Sequence, residues 1–228
     1  MHPRATRLGV VLTTLALVVV TGGCERSDPT SQPVPGPQYK TSPEDICESL
    51  RLGIVLEQFD LSLPSDYQPD PGPRTERTHW RQLCTFAAYG VDERFATPVG
   101  GFRPTGSVQV RVYQNAADAA AAYDEDSYSY FDLREETVPG TTTANLTGWW
   151  GENGRSLQTA QIPNPDHLVS DAVVNEIHVI HLIRHDNLVL LADNEAIAPL
   201  PDSAEVTTLL HDLTRALIDE TVTHLDRQ

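Results

Sequence analysis

Two apolar runs separated by a short polar turn narrow the fold more than anything else in the chain. Residues 173–184 and 188–192 are dense in Val, Ile and Leu, and Asp186-Asn187 sits between them. Strand-forming residues on either side of a short turn signal predict a hairpin, and therefore antiparallel pairing. A second hairpin is expected from 146–150 and 156–162 around Gly151-Glu152-Asn153-Gly154. Two more strands are read at 83–89 and 107–113. In the latter, Val108, Val110 and Val112 share a face opposite Gln109, Arg111 and Tyr113.

Helices frame these strands. Ser42-Pro43-Glu44-Asp45 has a capping hydroxyl, a first-turn proline and acids at the positive end of the dipole. Ile46, Cys47, Leu50 and Ile54 follow at helical spacing, and the helix is expected to fade before Pro64. Asn115, with Asp118 three positions on, opens an alanine-rich helix that runs to about Phe131. Asp202 or Ser203 caps a last helix with a stripe of Val206, Leu209, Leu210, Leu213 and Leu217. Together these predict one α+β domain over 44–228, an antiparallel sheet with helices packed on one face.

The N-terminus gives an address. Arg4 and Arg7 precede a 13-residue apolar run at 8–20, shorter than the roughly 20 residues a spanning helix needs but suited to a signal-peptide core. Thr21-Gly22-Gly23-Cys24 follows directly and resembles the lipobox of bacterial lipoproteins, with Thr21 where Leu is commonest. The resemblance implies a signal peptide over 1–23, diacylation of Cys24, and attachment to the extracytoplasmic face of the cell membrane; an ordinary secretory signal with an incidental Cys24 is the alternative. Each buried CH₂ of an acyl chain contributes about 0.8 kcal/mol to such an anchor. Residues 24–43 carry prolines without apolar periodicity and read as a tether.

The full chain carries a formal charge of −16, and removal of Arg4 and Arg7 would make it more acidic. That balance excludes nucleic acid as a partner, because phosphate binding needs clustered Lys and Arg. It also leaves attachment to an anionic membrane to the lipid.

With Cys24 assigned to lipid, Cys47 and Cys84 remain as an even pair in an oxidising compartment, and a disulfide is expected between them. Closing a loop of that length stabilises by about 4 kcal/mol on the chain-entropy model. Two free buried thiols or a metal pair are the alternatives, and the absence of a CxxC or a nearby His speaks against zinc. Lipobox, tether, Cys47 at the first helix, Cys84-Thr85-Phe86, Gly148-Trp149-Trp150-Gly151 and a final amphipathic helix give a layout. It resembles the small cell-envelope lipoproteins of actinobacteria and is similar in outline to the extracellular sensor domains of some of their Ser/Thr kinases. The resemblance implies a stapled extracytoplasmic α+β domain and brings no chemistry with it.

Candidate chemistry is sparse. Trp149 and Trp150 beside Glu152 offer indoles and a carboxylate of the kind that stack on a sugar or anchor a protein, one Trp packing inward and the other facing out. His178, His181 and His185 lie on an expected strand, where a period of two sets His178 and His181 on opposite faces and favours ordinary sheet histidines over a metal site. Asp124, Asp126 and Glu135 match the outer positions of a calcium loop, but Tyr128 and Ser129 stand where a ligand and a glycine are required. No nucleophile elbow, HExxH, P-loop or dinucleotide fingerprint is present.

The reading is a lipid-anchored, non-catalytic binding or sensor-like module of the envelope. It has Trp149, Trp150 and Glu152 as ligand candidates, no cofactor, and an envelope ligand or protein as partner. The alternatives are a hydrolase or metal-dependent enzyme using His178, His181 and nearby acids, and an envelope assembly or chaperone factor.

Overall fold

The structure is a computed structural model that describes residues 38–40, 44–69, 72, 74–90, 102–146, 153–158, 162–163, 174–199 and 202–225. Its spine is the expected hairpin: β9 (Val174–His185) and β10 (Leu188–Pro199) pair antiparallel along their whole length. Asp186 takes a positive φ of 53° at the turn, a conformation that short polar side chains tolerate. On the β10 side the sheet continues through β5 (Thr105–Tyr113), β3 (His79–Ala87) and β2 (Arg74–Thr75). On the β9 side it continues through β7 (Asn153–Gln158) and β6 (Thr142–Asn145), and β8 (Ile162–Pro163) also pairs with β9. A small separate ladder joins β1 (Leu61–Ser62) to β4 (Tyr89–Gly90).

The α+β class with antiparallel pairing is as expected; the placement of the helices is not. Val108, Val110, Val112, Ile177, Val179, Ile183, Leu188, Leu190 and Ala192 pack with α5 (Ser203–His224), α1 (Ile46–Ser49) and α2 (Leu52–Glu57). Tyr113, Leu157, Ile180, Leu182, Val189 and Leu191 form a second core on the opposite face with Ala119 and Tyr123 of α3 (Ala116–Asp126). Phe131 joins it from the π-helical turn Ser127–Asp132, which leads into α4 (Leu133–Thr137). Helices therefore cover both faces. The alternation in β5 suggested a solvated face, but the middles of β9 and β10 are apolar at successive positions, and such strands need cover on both sides.

Local differences have local causes. Asp45, whose side chain accepts the Glu48 N–H, is the first helix's N-cap in place of Ser42. The helix breaks at Leu50, restarts at Leu52 and so changes phase: Leu52, Val55 and Leu56 are buried while Ile54 is 51% exposed. Asn115 caps α3 as expected, accepting the Asp118 N–H at 2.9 Å. The second hairpin forms in a shifted register, β6 on β7, with the Leu146 N–H reaching the Gly154 carbonyl. Asp202 occupies the N-cap of α5 without bonding through its side chain; Ser203 instead donates to the Pro199 carbonyl and accepts from Asn175.

Cys47 and Cys84 form a disulfide, which pins α1 to β3. The body also takes in Tyr39, which the sequence placed in the tether. Its backbone exchanges two hydrogen bonds with the Asn187 amide (2.8 and 2.9 Å), and its phenol meets His185 Nδ1 at 2.9 Å.

Candidate functional site

The layer of α3 and the π-helical turn is apolar where it meets Ile180 and Leu191, and further toward Val174 and Pro199 the same face turns polar. Strand periodicity explains which groups gather there. Glu195 lies opposite His178 on β9 and opposite Thr105 on β5, and Asp193 lies opposite Ser107. Glu176 is two positions from His178 and shares its side of the sheet. Thr85, Phe86, Thr105, Gly106, Ser107, Asp193 and Glu195 line a hollow of about 320 Å³. Two carboxylates thus face the hydroxyls of Thr85, Thr105 and Ser107 across three strands.

The hollow's acids are held by their neighbours. Thr105 Oγ1 donates to Glu195 Oε1 at 2.8 Å. His178 Nε2 lies 2.8 Å from Glu176 Oε1 and 3.3 Å from Glu195 Oε2, so one imidazole bridges two carboxylates on adjacent strands. Burial raises the Asp193 carboxyl above its ordinary value, against the pull of His178 and Arg134, with Glu195 adding to the rise. Such a set accepts hydrogen bonds from amines and hydroxyls and presents negative charge to them.

The sheet separates the three histidines that the sequence brings near one another. His178 stands at the hollow. His181 points to the opposite face, 4% exposed, with Nε2 at 3.1 Å from His211 Nδ1 of α5; His211 Nε2 lies 3.4 Å from Gln158 Oε1. Burial first, then the charges of His211 and Arg215, push His181 down to about 3, and burial lowers His211 as well. His185 is at the turn end, against Tyr39. The structure gives no His178–His181 centre for a hydrolase.

The acids considered for calcium are spread along helix, where no binding loop forms: Asp126 pairs with Arg111, and Glu135 accepts from Thr143 Oγ1 at 2.8 Å. Trp149, Trp150, Glu152 and Cys24 lie outside the described residues. Sequence reasoning passed over Glu176, Asp193, Glu195, Thr105 and Ser107. Their signal was present as polar pairs two residues apart: Glu176 with His178, Asp193 with Glu195, and Thr105 with Ser107.

No family model and no curated protein matches this chain. Among solved structures it is similar to LpqN, described as involved in cell envelope biogenesis of Mycobacterium tuberculosis. The identity is 11% over 70% of this chain and 80% of that one, with a TM-score of 0.33, a level at which neither fold nor role transfers.

Proposed function

We propose that this protein is a lipid-anchored, extracytoplasmic binding module of the cell envelope that holds a cationic, hydroxyl-rich ligand without transforming it. The observation that carries the reading is the hollow in which Asp193 and Glu195 face three hydroxyl side chains. Carboxylates recognise an amine by charge-assisted hydrogen bonds, and hydroxyls both donate to and accept from a polyol. The net charge of −16 adds long-range attraction for such a ligand.

The address rests on the leader and on Cys24, and the Cys47–Cys84 disulfide suits an oxidising compartment. Among the described residues no helix is long and apolar enough to cross a membrane. Tyr39 joins the body at the β9–β10 turn, whereas Glu195 lies seven residues along β10 from Leu188, roughly 23 Å away at strand rise. The hollow therefore lies toward the end of the β9–β10 hairpin opposite the turn at which Tyr39 joins it.

The test takes the full chain expressed with its leader. Mass spectrometry is expected to find a diacylglyceryl group on Cys24, and Cys24→Ala to shift the protein from the membrane fraction to the soluble one. Binding to chitosan oligomers and to their N-acetylated counterparts is then compared by calorimetry. The amine form is expected to bind more tightly, and Glu195→Gln or Asp193→Asn to weaken it at least tenfold. Equal affinity for the two forms, or for protein and variants, overturns the reading.

A further inference from the structure

We propose that Glu176, His178 and Glu195 form a binding site for a divalent transition-metal cation of the zinc class. One imidazole and two carboxylates supply the three donors, and these donor atoms all lie within 4.8 Å of one another. A tetrahedral ion bound at about 2.0–2.2 Å holds neighbouring donors roughly 3.4 Å apart. The separations of 2.8 and 3.3 Å from His178 Nε2 to the two glutamates need to open by about half an ångström at most to approach that spacing.

The scaffold is rigid where it matters. His178 and Glu195 face each other in register on the fully paired β9–β10 ladder, and Glu176 is held on the same side by strand periodicity. Thr105 Oγ1 donates to Glu195 Oε1, and Glu195 Oε2 is the oxygen that lies 3.3 Å from His178 Nε2. Such outer hydrogen bonds fix the orientation of a ligating carboxylate. The ligand side chains are partly exposed, 23% for His178, 43% for Glu176 and 49% for Glu195, so an ion can enter without opening the fold. Imidazole with carboxylates suits zinc and its neighbours better than the all-oxygen cages that calcium and magnesium prefer. Three protein donors would leave a four-coordinate ion one further position, and Glu195 is shared with the hollow that Asp193 lines.

Uptake of the ion needs no organic partner. The full chain, stripped with chelator and dialysed, is titrated with ZnCl₂ at pH 7.5 and followed by calorimetry. Uptake of one saturable equivalent is expected, weakened at least tenfold in both His178→Gln and Glu176→Gln. His224→Gln, which removes a separate surface His–Glu pair, is expected to leave the uptake unchanged. A circular dichroism midpoint shows that each variant is folded. No saturable uptake by the wild type, or full uptake by both site variants, overturns the proposal. Asp193→Asn separates the two readings, because it removes a carboxylate from the hollow and none from the ion.

Discussion

Gly106 sits in β5 where that strand crosses the buried Asn194 of β10. A Cβ added there would lie 2.0 Å from Asn194 Oδ1 and 2.6 Å from Phe86 Cζ. Phe86 is itself packed, and Asn194 is held by its bond to Thr214 Oγ1 at 2.7 Å, so neither yields freely. Gly106→Ala is expected to destabilise the fold by about 1–3 kcal/mol, the range for overpacking a filled interior, read as a shift in the urea midpoint without a change in slope. Asn187 is a second residue with a role out of proportion to its size. Its amide group accepts from the Tyr39 N–H and donates to the carbonyls of Tyr39 and Tyr113, fastening the entering chain to the main hairpin.

Among the elements, α5 is bound to the sheet by polar as well as apolar contacts. Asn175 donates to Ser203, Asn194 to Thr214, and His211 meets His181, while Val206, Leu210, Leu213 and Leu217 fill the space between them. Thr207, Thr214 and Thr221 return their hydroxyls to carbonyls four residues back, which lets them be buried without orphaned donors. The short helices α1 and α2 have less of their own to hold them, and the Cys47–Cys84 bond ties the first of them to β3. Replacing both cysteines by serine is expected to cost about 2–5 kcal/mol, seen as a lower thermal midpoint. The same drop is expected on reduction of the wild type, and an unchanged midpoint in reductant would show that the bond does not stabilise this domain.

At the scale of the whole molecule, a two-sided sheet with histidines under one helix responds to acid. The ordinary histidine value is 6.5, and burial holds His181 near 3 and His211 below its ordinary value in the folded chain. Asp212 works against the shift of His211, and the charge of Arg215 deepens that of His181. Between these values the unfolded chain binds protons that the folded one refuses. The contribution of these two histidines to stability is therefore greatest above pH 6.5 and declines as pH falls below it, by up to about 1.4 kcal/mol per pH unit for each. Urea unfolding at pH 7, 6 and 5 is expected to show this decline, and His181→Gln to flatten it by roughly one histidine's slope. A wild-type stability independent of pH over that range contradicts the burial of the pair.

The sequence by itself determined the local features. The hairpin around Asp186-Asn187, the Asn115 cap, the valine face of β5, the apolar stripe of α5 and the pairing of the two remaining cysteines are all encoded by residues close together or few in number. Only the tertiary structure decided what depends on residues far apart in the chain. Tyr39 belongs to the body because Asn187, 148 positions away, receives it. The helices cover two faces because β9 and β10 are apolar on both, a property that alternation in a neighbouring strand does not report. The candidate site escaped notice for the same reason. Glu176, His178, Asp193, Glu195, Thr105 and Ser107 are unremarkable polar residues until strand register sets three segments of chain side by side. Local propensity fixes elements, but the meeting of carboxylates, imidazole and hydroxyls is a product of long-range pairing, whose register is set by the burial of whole faces.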